Sequence, residues 1–325
     1  MIPAMAEVLE RFRYSLESDA SVVPVALLSL ADPDLAGLTD VPLHCPAVVA
    51  RQEEQIVGAA LLVHDHDSME VINLAVDPSW QGQGVGTTLL ERSIAHAREK
   101  GVRRLIIRTA STSVRQLLLY QRVGFRLSTI DHGHFTRNYF RPVIENGVRC
   151  IDRVTLAFPM LRDEERRALV DEYWCDFVLR NGTFAGVDYA VWSFGDGPLL
   201  ANQLLNLVID GRKQATATLQ ATLELEGEAA PVVGGVSVIT YADGSPGAII
   251  QTTGVEVVPF SEVGAEHARL EGEGDLSLEQ WRRDHERFFL RELARHGRPF
   301  SPDLPVVCER FALLDVNREL AYAVG

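Results

Sequence analysis

The sequence predicts an α+β protein of two domains: a mixed α/β sheet domain over residues 1–158, then a small β-barrel domain with peripheral helices over residues 163–325. Three observations predict it. At 325 residues the chain is longer than one small core organises. The first half alternates strand-like and helix-like stretches up to Pro159, and the second half turns to short strands broken by Gly, Pro and Asp. Charge divides at the same place: residues 1–158 hold 16 Lys+Arg against 18 Asp+Glu, whereas residues 159–325 hold 15 against 27.

The elements of the first domain follow from periodicity. Residues 52–63 and 68–76 read as two strands joined by the polar turn DHD. Residues 79–84, SWQGQG, form a Gly-rich turn. From Val85 to Lys100, Val85, Leu89, Leu90, Ile94 and Ala97 recur at helical spacing, and Gly101 ends the helix. Arg104–Arg108 is a short buried strand, Ser113–Val123 a second helix closed by Gly124, and Arg126–Thr129 and Cys150–Phe158 are further strands.

Asp163 opens the second domain as a helix N-cap, and Leu169, Val170, Tyr173, Trp174, Phe177 and Val178 form one apolar stripe behind it. LLANQLLNLVID is an apolar helix. Two strand-like runs flank the turn ADGSPG, Leu278–Leu293 is a helix with Trp281, Phe288 and Phe289, and Val306–Leu314 is a last strand. Short strands at this spacing suggest a small barrel.

Composition excludes several classes. Hydrophobic residues make up 46% and charged ones 23%, a composition that folds. No apolar run reaches the ~18–20 residues that cross a bilayer. The start MIPAMAEVLERFRY lacks the basic and apolar regions of a secretory leader. Cys45, Cys150, Cys175 and Cys308 lie far apart with no CxxC or Cys/His spacing, which argues against disulfides and a metal site and for the cytoplasm. A second half this acidic is a poor surface for a long phosphate backbone. Only two of the 31 basic residues are lysine, Lys100 and Lys213. A position that keeps lysine in such a chain is a candidate for chemistry that needs a compact amine able to lose its proton.

The first constellation is a backbone cradle. Val76-Asp77-Pro78-Ser79-Trp80-Gln81-Gly82-Gln83-Gly84-Val85-Gly86 leaves a strand, passes through glycines and enters a helix. Glycines let backbone N–H groups approach an anion, and a helix N-terminus adds free donors and positive partial charge. By itself such a turn is equally a tight strand–helix connection. With its context, including LLLYQRVGF some 30 residues later, it resembles the GNAT N-acetyltransferase family. Gln81, Gly84 and Gly86 occupy that family's Q/R-x-x-G-x-G/A signature, and Tyr120 and Gly124-Phe125 its later Tyr…Gly-Phe segment. The resemblance covers about residues 1–158. It implies acetyl-CoA as cofactor, with its pyrophosphate on the N–H groups of Gln81, Gly82, Gln83, Gly84, Val85, Gly86 and Thr87. It also implies that pantetheine pairs with strand backbone near Leu74–Val76, and that the acceptor is a small-molecule amine. Amine attack on a thioester needs an unprotonated amine, a stabilised oxyanion and a proton for the leaving thiolate. Tyr120 matches the family's proton donor. Glu70, preceding the cofactor strand, is the candidate base through water. Ser113 stands where many relatives carry an asparagine near the coenzyme arm. His132 and His134 face either an acceptor or, as isolated histidines more often do, the structure itself.

The second constellation is Lys213 with Thr216 at i+3, followed far along the chain by His267-Ala268-Arg269-Leu270-Glu271-Gly272-Glu273-Gly274-Asp275. A desolvated lysine of lowered pKa, a hydroxyl and a carboxyl group would form an activated-nucleophile set. EGEGD also reads as a solvated acidic loop. WSFGD (192–196), GRKQAT, EGEGD, Trp281 and CERF (308–311) together resemble an ASCH domain, a PUA-like barrel, over about residues 163–315. That family includes small amidohydrolases that remove acetyl from N4-acetylcytidine, whose Lys, Thr and Glu fall on Lys213, Thr216 and Glu271. Other members are credited with binding or cutting RNA. The resemblance therefore implies either a nucleoside-like ligand, with deacylation as a second activity, or an RNA-binding module or ribonuclease. The acidic second half favours the small ligand.

Overall fold

The computed structural model of the chain describes residues 11–31 and 44–318. Residues 1–10, where the absence of a leader is read, lie outside them. Two compact units divide between Arg162 and Asp163. None of the described helices is long and apolar enough to cross a membrane.

The first unit runs β1 (Arg13–Glu17), α1 (Val25–Leu28), β2 (Ala47–Gln52), β3 (Gln55–Asp65), β4 (Ser68–Val76), α2 (Val85–Glu99), β5 (Arg104–Ala110), α3 (Val114–Val123), β6 (Arg126–Asp131), α4 (His134–Asn138), β7 (Ile144–Glu145), β8 (Val148–Arg149) and β9 (Arg153–Pro159). Its seven-stranded sheet has the order β1-β2-β3-β4-β5-β9-β6. All neighbours are antiparallel except β4 and β5, because α2 crosses over between them. Helix α2 buries Val85, Leu89, Leu90, Ile94 and Ala97, a stripe in which each large side chain contributes about 1.5–3 kcal/mol. It lies close to the sheet because position 58 is glycine: a Cβ there would meet Val85 at 3.0 Å and Leu89 at 3.1 Å.

The feature that matters for function is where β4 and β5 stop pairing. They share a ladder only from Ser68↔Arg104 to Val71↔Ile107. A bulge follows on β4, where Leu61 faces Asn73 and Leu62 faces Val71, leaving Ile72 as the extra residue. Such bulges bend a strand. From Ile72 to Val76, β4 has no partner on the β5 side, while β5 continues along β9 to Ala110. The two strands part as a wedge.

The second unit runs α5 (Asp163–Arg180), β10 (Tyr189–Trp192), α6 (Pro198–Ile209), β11 (Ala215–Leu219), α7 (Gln220–Glu226), β12 (Val236–Thr240), β13 (Pro246–Pro259), α8 (Ala265–Glu271), α9 (Leu278–Arg295) and β14 (Pro305–Val316). Asp163 is the first helical residue of α5, in an acidic first turn with Glu164 and Glu165 that suits the helix dipole. The five-stranded sheet has the order β10-β12-β13-β14-β11. It is sheet-rich as expected; among the described residues its end strands β10 and β11 do not pair, so the ladder is open. Val236, Val238 and Ile249 pack with Val170, Tyr173, Trp174 and Phe177 of α5. Ala217, Leu219, Val306 and Cys308 pack instead with Ala268, Trp281, Phe289 and Leu293 of α8 and α9. This second cluster brings α8 and α9 to the loop that carries Lys213.

Candidate functional sites

In the first unit, Asp77 Oδ1 accepts from the Ser79 N–H (2.9 Å) and fixes the turn Pro78–Trp80. Gln81 Nε2 donates to the Val76 carbonyl (2.9 Å), and Gln83 Nε2 donates to the Ser79 carbonyl (3.1 Å). Both glutamine side chains thus brace the turn, and their contribution to an anion would be main chain. Gly82 (φ 73°) and Gly84 (φ 87°) adopt the left-handed conformation that disfavours side chains. Gly84 is the N-cap of α2, without a side chain to close it. The first backbone bond of the helix runs from the Thr88 N–H to the Gly84 carbonyl (3.0 Å). The N–H groups of Val85, Gly86 and Thr87 are therefore the free donors of a helix start. Val85 and Thr87 are only 1% and 8% exposed, so Gly86 is the least covered of the three. The wedge beside Leu74–Val76 leads to this turn along β4. A diphosphate on a pantetheine arm fits both features.

Tyr120 on α3 is 5% exposed and packs against Phe125. Burial, with the Glu145 carboxylate nearby, pushes its phenol well above the usual value, so it stays protonated at neutral pH. Two expected residues are otherwise engaged. Glu70 pairs with Arg108 on the neighbouring strand, which engages one of its two oxygens. The Ser113 hydroxyl is 2% exposed and donates to Glu145 Oε2 (2.6 Å), which Thr112 also reaches (3.1 Å). Ser113 is therefore tied to the β7–β8 hairpin and is not a contact for a coenzyme arm. His134 is held by Asp131 (2.8 Å) and His132 lies 3.5 Å from Asp152, so both have protein partners.

In the second unit, Lys213 is 2% exposed. Its Nζ donates to Glu271 Oε2 (3.2 Å) and to Glu273 Oε1 (2.5 Å). Glu271, at the end of α8 and 1% exposed, is also bonded through Oε1 to His267 Nε2 (3.1 Å) and Trp281 Nε1 (2.8 Å), and its Oε2 lies 3.4 Å from His285 Nε2. His285 stacks on Trp281 with ring centres 4.1 Å apart. Gly272 makes the meeting possible. With φ 72° it caps α8, and a Cβ there would stand 2.3 Å from the Arg212 carbonyl oxygen.

The electrostatics correct the sequence reading of the lysine. Burial alone would lower Lys213, but Glu273 and Glu271 outweigh it, and its pKa is raised. Burial would raise Glu271, but His285 and Lys213 hold it well below the ordinary carboxylate range. Lys213 is thus an ammonium ion and not a base. Nor does Thr216 join it. Position i+3 brings side chains together in a helix or turn, but the chain becomes extended at Ala215, where β11 starts, so that spacing does not apply here. Thr216 lies opposite Glu309, and no hydrogen bond links it to Lys213 or Glu271 among the described residues. Glu309 is itself buried and bonded by Thr252 Oγ1 (2.5 Å). Sequence reasoning passed over His285 and the individual role of Glu273. Their signals were present: a histidine four residues after Trp281, and a second glutamate, Glu273, two residues after Glu271.

Comparison with known proteins agrees with this geometry. Residues 12–125 match the model of the acetyltransferase (GNAT) family, and residues 190–315 match the ASCH domain. The chain is similar to the uncharacterized N-acetyltransferase YvbK of Bacillus subtilis (strain 168), 32% identical over 149 residues, which are 46% of this chain and 96% of that protein. Among solved structures it is similar to a GNAT family acetyltransferase from Elizabethkingia anophelis with acetyl-CoA bound (32% identity, 46% of this chain and 99% of that one, TM-score 0.43). It is also similar to an ASCH domain from Lactobacillus crispatus JV V101 (28% identity, 46% and 94%, TM-score 0.42). The chain belongs to the GNAT family of N-acetyltransferases, uses acetyl-CoA, and carries an ASCH domain behind its acetyltransferase domain.

Proposed function

We propose that the first unit transfers acetyl from acetyl-CoA to the amine of a small molecule, and that the second unit binds a small nucleoside-like ligand at Lys213 and Glu271. The observation that carries the first part is the β4–β5 wedge on the strand that leads to the glycine turn at the start of α2. In this reading the main chain of Leu74–Val76 holds the pantetheine arm, and the N–H groups of residues 81–87 hold the pyrophosphate. Acetyl-CoA supplies an activated thioester. Tyr120 keeps a proton to give to the departing sulfur, since its phenol ionises only far above neutrality. Calorimetric titration with acetyl-CoA tests this reading; absence of saturable heat at millimolar ligand, about the weak limit of specific binding, ends it.

The second part rests on a buried ammonium–carboxylate pair inside an acidic unit. The Lys213 ammonium has three N–H donors and gives two of them to Glu271 and Glu273, a donor group suited to the acceptors of an amide or a base edge. Deacylation draws no support from this arrangement, because Lys213 keeps its proton and Thr216 lies apart. RNA is disfavoured by charge: 27 acidic against 15 basic residues in the second half leave little to release counterions. Titrating cytidine, N4-acetylcytidine and a tRNA pool at two salt concentrations separates the readings. Salt-sensitive RNA binding without nucleoside binding would reverse the preference.

A further inference from the structure

We propose that Glu273 is a built-in placeholder, and that the Lys213 site takes a carboxylate-bearing small molecule that displaces it. The inference rests on the reading of Lys213 as a ligand site and adds a carboxylate to the nucleoside-like ligand proposed there. The two carboxylates on Lys213 are unlike. Glu271 is held on both oxygens by His267, Trp281 and His285 as well as by Lys213, and its side chain is 2% exposed. Glu273 has Lys213 as its only side-chain hydrogen-bond partner among the described residues, and its side chain is 33% exposed. Of the groups around the ammonium, Glu273 alone is substantially open to solvent.

The chain around Glu273 suits an outward swing. Gly272 (φ 72°) and Gly274 (φ 56°) flank it in left-handed conformations, and no strand or helix holds it. Withdrawal of Glu273 leaves the buried ammonium with Glu271 as its one carboxylate partner, beside the largely buried His285. Loss of one counter-charge in a buried place is costly until an anion arrives. A monoanionic carboxylate restores the charge that Glu273 supplied and has the same planar pair of acceptors. A phosphate dianion would bring a second negative charge close to Glu271.

The test is calorimetry on the full chain with sodium acetate as probe, in chloride buffer of matched ionic strength. Wild type should bind acetate weakly, since the ligand competes with a tethered carboxylate. Glu273→Gln and Glu273→Ala should bind it at least tenfold more tightly, because the competitor is gone. Equal affinity in wild type and both variants overturns the proposal, as does tighter binding of inorganic phosphate than of acetate. If cytidine binds the wild type while acetate affinity ignores Glu273, the placeholder is refuted and the ligand site stands. If neither probe binds any form, both fall. Glu273 is half-buried, and circular dichroism verifies that both variants are folded before they are titrated.

Discussion

Lys213 Nζ lies 3.2 Å from Glu271 Oε2 with both side chains at most 2% exposed, although 58 residues separate them in the chain. Only packing of α8 and α9 on β11 brings them together, and neither charge has water to fall back on. Lys213→Met should therefore cost about 3–5 kcal/mol, the loss expected when one member of a buried pair is left alone. Glu271→Gln should cost somewhat less, because Trp281 keeps an acceptor. The double variant Lys213→Met/Glu271→Leu should recover much of the loss. Urea unfolding of the three proteins measures this, and additive losses would show that the pair is not coupled.

Gly272 should resist every substitution. Gly272→Ala places a Cβ 2.3 Å from the Arg212 carbonyl oxygen at φ 72°. Strain and displacement together should cost several kcal/mol, on the order of 2–4. Gly211 has a similar φ (71°) with nothing within 4 Å, so Gly211→Ala should cost only about 1 kcal/mol. Thermal unfolding of the pair isolates the close approach from the backbone angle.

The buried cluster gives the second unit a pH signature. Glu271 ionises well below its ordinary value, so its contribution is present above the unfolded carboxylate pKa of about 4.3 and is lost as pH falls toward the folded value. His285 is raised, so its contribution is full below about 6.5 and is lost as pH rises through the folded value. The stability difference between wild type and His285→Gln should therefore be largest between about pH 4.3 and 6.5 and shrink on the alkaline side. A difference that is flat from pH 5 to 9 would contradict the ion pair.

Glu292 works in the opposite sense. Burial, with Glu226 nearby, pushes its carboxyl up to about 7. Between about 4.3 and that value the unfolded chain ionises first, so stability is lost as pH rises. Glu292→Gln should be more stable than wild type at pH 8 by about 1–2 kcal/mol, discounted for partial exposure, and nearly equal to it at pH 4.

Tyr120→Phe tests the proton donor. The Tyr120 hydroxyl makes no side-chain hydrogen bond among the described residues, so the fold should hold while kcat for acetyl transfer falls about 10²–10⁴-fold, the usual weight of a positioned acid. Wild-type kcat should show no alkaline limb from this phenol below pH 10. A full-rate Phe variant would remove Tyr120 from the chemistry.

Much of the first unit was legible because its signals are local. The glycine turn, the apolar stripe of α2 and the helix that carries Tyr120 all lie within short windows, and their spacing alone sets their geometry. Ser113 misled for the opposite reason. Its partner Glu145 lies 32 residues away on the β7–β8 hairpin, and nothing near Ser113 announces it. Glu70, expected ahead of the cofactor strand, lies within β4, and Arg108 reaches it from β5.

The sequence by itself determined the two units, the glycine turn at the start of α2 and the rarity of lysine that drew notice to Lys213, since each depends on residue type and on neighbours a few positions away. Tertiary structure decided what those groups can do. The wedge exists because β4 bulges while β5 turns to β9, and the charge on Lys213 exists because two glutamates from a distant helix end surround it. Protonation and strand divergence are properties of an environment, and an environment is assembled only when remote segments pack.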